Sequence, residues 1–500
     1  MDEEWSVSAN EVVKLSQVRP GKDGIETIQE FSPTFTYPIF GEAEQIFGYK
    51  GLDINIQFAA HDGSPHVNIS YDKKFPAVKS TQALDLNKTL KEFLPASAFE
   101  QDYEDQLQNR TDAKDWKPPG ELVHKYTKKD RNFEVWAGSL LDPQVNKLVE
   151  NIQILVLFYI EAGSQLNLNE VPWSLDRWRV YFTFEKIDPL TPNIPPYSLL
   201  GYSTTYRFWR PSFPHPRPTK ASPTLQKYPD LPPITPTQLE SRLRISQFLL
   251  LPPYQKSGHG SQLYRAIYNE VLSDPKISEL TVEDPSEEFD QLRDSCDWKT
   301  LEPQFRTANI GINADSQKSH RRISRVPTKH LTPLDTLSTL RTLNKIAPRQ
   351  FARLTELYLL SLIPFSHRLS GGANLTKLKI QKHSNKDAVD RIYYWWRVLL
   401  KQRIWRKNKD ALVQLDGEEK WGAIEDAARG QEDEYEGLLM LFALRGAGGG
   451  GLVGEGDGDG SEVDAASGSN PRKRKVIDEE DDDDEEVEEV EVSMPKRART

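Results

Sequence analysis

Apolar and polar residues alternate with different periods along this chain, and each change of period marks an element. Gly51-Leu-Asp-Ile-Asn-Ile-Gln-Phe58 repeats with period two, as a strand with one buried face does. Asn10 to Ser16 reads as a first short helix. From Asp142 to Ile160 the spacing becomes helical, and Trp178 to Phe184 then runs as WRVYFTF, with the aromatic and β-branched enrichment of a strand. Gly201 to Trp209 reads as another strand. Ser246 to Leu251 is apolar and too short for a free-standing helix, so it predicts a buried strand ended by Pro252-Pro253.

Beyond Gly260, Leu263, Ile267 and Val271 share one helical face. A short strand at Glu279 to Val282 follows, then a stop at Asp284-Pro285 and a helix through Arg293. Alternating strands and helices predict an α/β (α+β) core with a mixed central sheet. Arg306 to Pro348 is polar and basic, and Gln350 to Leu362 and Ile392 to Leu415 predict a separate helical module. Proline crowds Pro211 to Pro236, which reads as a surface loop, and Gly446 to Ser469 as a Gly-rich linker. The expected organisation is a strand-rich N-terminal domain over 1–125, an α/β domain over 126–300, a helical region over 301–445 and a disordered tail over 446–500.

The loop between strand and helix carries the first chemistry. Gln255, Gly258 and Gly260 stand at i, i+3 and i+5, and glycines there let the backbone turn sharply and bring its N–H groups close to an anion. The helix that follows adds its unpaired amides and its dipole. This loop matches neither the GxGxxG fingerprint nor the GxxxxGK[ST] loop, and a plain turn is the competing reading.

Composition narrows the class. The net charge of −11 is concentrated in residues 446–500, where seventeen Asp/Glu face seven Lys/Arg, a balance of −10 that leaves the body near −1. A near-neutral body without a basic stripe argues against nucleic acid as the direct partner. The single cysteine, Cys296, excludes a disulfide framework and points to an intracellular compartment. An acidic start without an apolar core predicts no signal peptide, and the longest apolar stretch, Ile152 to Ala162, is too short to span a bilayer. Pro471 to Lys475 and Lys496 to Arg499 read as import signals or plain tail charge; the acidic block between them would attract a basic partner or merely solubilise.

Carboxylates are the candidate acid–base groups. Glu283, with Asp284 beside it, ends a short apolar strand, and either serves as a base or caps the next helix. Glu161 interrupts LVLFYIEAG, where apolar neighbours are expected to desolvate it. His259 lacks a second ligand at metal spacing, so no metal is expected. Trp178 and Tyr206 to Trp209 line either a peptide groove or the core.

Four stretches together carry a family resemblance: FSPTFTYPIFGEAEQIFGYKGLDI from Phe31, DRWRVYFTFEK from Asp176, RISQFLLLPPYQKSGHGSQLY from Arg244 and ELTVEDPSEEFDQLRD from Glu279. The chain resembles the catalytic subunits of type B histone acetyltransferases, within the GNAT acyltransferases. That resemblance implies a GNAT fold and acetyl-CoA as cosubstrate, held by Phe248, Leu249, Leu250, Gln255, Lys256, Ser257, Gly258, His259, Gly260, Ser261 and Glu288. It implies Glu283 as general base with Glu161 and Asp284 beside it, and Glu42, Ala43, Glu44, Trp178, Tyr206, Arg207 and Phe208 against the histone tail. Histone H4 with its histone partner, a WD-repeat histone-binding subunit, and residence in both cytoplasm and nucleus follow from the same resemblance. A histone escort acting through the acidic tail, and an acetyltransferase for a small amine, are the alternatives. Glu288 departs from the family, where a small residue is frequent, and Pro211 to Pro236 is longer than expected.

Overall fold

The computed structural model describes residues 5–21, 24–78, 81–109, 113–188, 194–210, 239–314, 330–372 and 387–447, in two compact units that divide between Glu283 and Asp284. Pro211 to Pro236 and everything from 448 on, including both basic clusters and the acidic block, lie outside the described residues.

In the first unit, strands β1 (Val13–Pro20), β2 (Ile25–Phe31), β3 (Asp53–Ala59) and β4 (Pro65–Ser70) form one sheet in the order β2-β1-β3-β4. The period-two stretch becomes β3, with Ile54, Ile56 and Phe58 buried. The helix expected over Asn10 to Ser16 is a correction: only the turn Ala9–Val12 is helical, and the strand starts at Val13. Parallel pairing with β3 places Val13 opposite Ile54 and Leu15 opposite Ile56, and that burial outweighs a weak helical pattern.

The second sheet holds six strands: β5 (Glu121–Lys128), β6 (Arg131–Ser139), β7 (Trp178–Lys186), β8 (Tyr197–Arg210), β9 (Glu240–Leu250) and β10 (Ile277–Val282). They lie in the order β10-β9-β8-β7-β6-β5, antiparallel except for the parallel pair β9 and β10. Helices α1 (Pro143–Ile152) and α2 (Ile154–Tyr159) occupy the stretch between β6 and β7, the first capped by Asp142, whose side chain accepts from Gln144 N–H. The parallel pair requires a crossover, supplied by α3 (His259–Ser273), whose Leu263, Ile267 and Val271 are fully buried as their spacing predicts.

The second unit is helical. Its main helices are α4 (Glu287–Thr307), α5 (Pro348–Ser361), α6 (Ala388–Lys407) and α7 (Gly417–Ala447). Helix α4 runs well past the Arg293 end expected for it, and α7 takes in Gly446, the first residue expected in the linker. Ion pairs join these helices: buried Arg397 meets buried Glu432 and half-buried Glu425, and half-buried Arg403 meets Glu356. No helix among the described residues is long and apolar enough to cross a membrane.

Candidate active site

The site is built where β9 changes neighbours. Opposite β8, Thr204 pairs with Gln247 and Thr205 with Ile245, leaving Ser246 as the extra residue of a bulge. Opposite β10, the ladder ends at Ile245 and Val282, with a last bond of 2.8 Å from Glu283 N–H to the Ile245 carbonyl. Strand β9 continues to Leu250 with β8 on one side and β10 already ended on the other. An extended ligand arm is recognised in such a place by adding as a strand. At the parting point, the bulged Ser246 hydroxyl donates to the exposed Glu283 carboxylate.

The predicted loop follows directly. Gln255 Nε2 donates to the Leu250 carbonyl at 2.8 Å, closing the turn through Pro252–Tyr254. Lys256 (φ 53°) and Gly258 (φ 80°) are left-handed, and Gly258 is the N-cap of α3 with no side chain capping the helix. Gly260 differs from its expected role as a turning residue, since it is already helical and buried. The first amides of α3 have no partner within the helix and open beside Gly258, where glycine leaves room for an anion.

His259, expected as an ordinary loop residue, is buried; its Nδ1 shares a 2.8 Å hydrogen bond with the Tyr126 hydroxyl, and its ring lies 4.6 Å from that of Phe133. Burial, reinforced by the charges of Lys128 and Arg131, pushes the imidazole down to about 4, so it is neutral near pH 7.

Other predicted residues join this centre through a path of hydrogen bonds. Glu44 accepts from Thr36 N–H at 2.6 Å, Tyr37 N–H at 3.1 Å and Asn10 Nδ2 at 2.7 Å. The Thr36 amide in particular holds this carboxyl below the usual carboxylate range. The Tyr37 hydroxyl accepts from Ala162 N–H at 3.0 Å, and two residues on the Ser164 carbonyl accepts from Gln247 Nε2 at 2.9 Å. The loop carrying Glu161 is thereby tied to both the Glu44 segment and the bulge. Glu161 itself is exposed, so the apolar wall expected around it is missing: it lies past the end of α2 rather than within it. Glu42 and Ala43 are exposed, and Asp284 is exposed with φ 35°.

Residues 5–161 match the family described as "Histone acetyl transferase HAT1 N-terminus". The histone acetyltransferase type B catalytic subunit of Aspergillus fumigatus is 47% identical over 448 residues, covering 88% of this chain and 78% of the relative. Its counterpart in Aspergillus oryzae is 46% identical, covering 88% and 87%. That of Candida albicans is 33% identical, covering 87% and 90%. The chain belongs to the family of type B histone acetyltransferase catalytic subunits.

As a type B catalytic subunit it is a lysine acetyltransferase whose cosubstrate is acetyl-CoA. Beside its parting strands lies a half-buried aromatic surface. Trp178 and Tyr206 face each other across β7 and β8 with ring centres 4.8 Å apart, and Tyr206 stands 4.6 Å from Phe208. The Arg244 guanidinium lies 4.5 Å over Phe208, and that of Arg177 5.0 Å over Tyr206 and 4.8 Å over Trp209. Arg207 alternates away from these rings and pairs with Asp274 at the end of α3. In the second unit, Glu288 is exposed in the first turn of α4. His367, Asp387 and Asp390 approach one another there too, but Asp387 caps α6 and His367 hydrogen-bonds Asp390 at 2.8 Å, so each already has a structural task. The residues that the periodicity left unnoticed are His124, Tyr126 and Lys128 on β5, and Ser246 and Gln247 at the bulge.

Proposed function

We propose that this chain transfers acetyl from acetyl-CoA directly to a lysine in the N-terminal tail of newly synthesised free histone H4, before chromatin assembly, with Glu283 as general base. The observation that carries this reading is the Glu283 carboxylate held by Ser246 where β9 and β10 part. The thioester arm runs along Phe248 to Leu250, and the pyrophosphate sits on the amides from Gln255 to Ser261. Glu288 is assigned to the coenzyme as well.

A lysine ammonium has a pKa near ~10.4 and must lose a proton before its nitrogen can attack. Glu283 takes that proton, directly or through one water, with Glu161 and Asp284 as further carboxylates that assist the deprotonation. The amine nitrogen bonds to the thioester carbonyl carbon, the C–S bond breaks, and the thiolate of coenzyme A departs with the proton that the nitrogen gives up as the amide forms. A backbone N–H of β9 stabilises the charge developing on the carbonyl oxygen. The tail lies along Trp178, Tyr206 and Phe208, with Arg207 and the Glu42, Ala43 and Glu44 segment at the rim. A WD-repeat histone-binding subunit accompanies the chain, which works in cytoplasm and nucleus through its basic tail clusters.

Glu283→Gln is expected to lower turnover on an H4 tail peptide by about 100-fold or more at pH 7, and by less at pH 9. Turnover at the wild-type rate at pH 7 removes Glu283 as the base. Mass spectrometry of mixed free core histones treated with the chain and acetyl-CoA tests the substrate; acetylation spread evenly over all four histones removes the H4 assignment.

A further inference from the structure

The loop that turns into α3 is held from outside by one face of a strand on the far side of the sheet order. Along β5, His124, Tyr126 and Lys128 stand at alternate positions and therefore project from the same face. Each reaches a successive point of the loop and first helical turn. Lys128 Nζ donates to the Ser257 carbonyl, Tyr126 bonds His259 Nδ1 at 2.8 Å, and His124 Nε2 bonds Gln262 Oε1 at 2.9 Å. A loop with a non-glycine left-handed residue, Lys256, and no side-chain cap on its helix has reason to be braced from elsewhere.

Lys128 does more than brace. An ammonium has three donors, and the Ser257 carbonyl takes one. Its nitrogen lies 3.4 Å from the point a Cβ on Gly258 would occupy, directly beside the N-cap whose following amides open the anion site. No carboxylate neutralises it among the described residues, whereas nearby Arg131 is paired with Glu185. A fixed positive charge beside a helix N-terminus adds to the pull on a phosphate group.

We propose that Lys128 is a coenzyme-positioning residue, which fixes the Ser257 carbonyl and presents its charge to the coenzyme's phosphates at Gly258. This inference rests on the reading of Gln255 to Ser261 as the pyrophosphate site. A residue serving only the fold would affect donors with and without phosphates alike, so the decisive comparison is acetyl-CoA against S-acetylpantetheine, which has no phosphate. In the full chain, Lys128→Met should lower the ratio of kcat/KM for acetyl-CoA to that for S-acetylpantetheine by about tenfold, the size of one charge-assisted hydrogen bond. Lys128→Arg, which keeps the charge, should recover most of the ratio. An unchanged ratio in Lys128→Met, including an equal loss with both donors, overturns the proposal. Gly258→Val separates the two levels: if it raises the KM for acetyl-CoA while Lys128→Met leaves the ratio intact, Lys128 alone is misassigned. If Gly258→Val leaves that KM unchanged, the loop reading falls and this inference falls with it.

Discussion

A methyl group at Gly201 would meet backbone, with the Leu249 carbonyl oxygen at 2.2 Å and the Leu250 Cα at 2.7 Å. Neither can rotate away, so β9 itself must shift where it is assigned to the thioester arm. Gly201→Ala is expected to cost about 1–3 kcal/mol and to weaken coenzyme A binding, read together by denaturant unfolding and calorimetric titration. Wild-type values in both would mean that the close approach is unimportant. His259 carries a pH dependence of definite sign. The unfolded chain takes up its proton near 6.5, the folded ring only near 4, so its contribution is complete above 6.5 and lost as pH falls towards 4. The loss is on the order of 2 kcal/mol, and it should vanish from the difference between unfolding curves at pH 7 and 4.5 in His259→Phe. Residue-level roles were the least legible in the sequence. A glycine pair signalled the loop, but nothing in the text of the chain separates Gly258, which needs left-handed backbone, from Gly260, which is simply helical. Glu161 looked desolvated because its sequence neighbours are apolar, yet its exposure is set by where α2 stops.

Elements read better where burial follows a local period. The apolar run before Pro252 is the C-terminal part of β9, and the face of Leu263, Ile267 and Val271 is the buried side of α3. The misread segment, Asn10 to Ser16, is decided by a partner about forty residues on, β3, which no local window contains. The ladder from β5 to the loop was hidden in the same way, since its bonds join residues more than 125 positions apart. Among the helices, the predicted module holds more charge than a core of its kind needs. Arg397 and Glu432 are 4% and 1% exposed, and Tyr393 also donates to Glu432. Glu432→Ala leaves the buried Arg397 guanidinium with the half-buried Glu425 as its remaining carboxylate and is expected to cost about 3 kcal/mol, whereas Arg397→Met with Glu432→Leu should cost distinctly less. Equal losses in the single and double variants, measured by denaturant unfolding, would show that the pair is not what the helices depend on.

At the scale of the molecule, the candidate residues from Glu42 to Glu283 all belong to the first unit. Within that unit, the segment around Glu44 and the parting of β9 are linked through Tyr37, Ala162, Ser164 and Gln247, so the first sheet's surroundings and the six-stranded sheet share one polar path. The crossover from β9 through α3 to β10 holds the bulge, the Gln255 to Ser261 loop and Glu283 in one uninterrupted piece of chain. Such a piece can be inherited whole. Drift in the flanking strands can then remodel which amine is presented while the bulge, the loop and Glu283 keep their spacing along the chain.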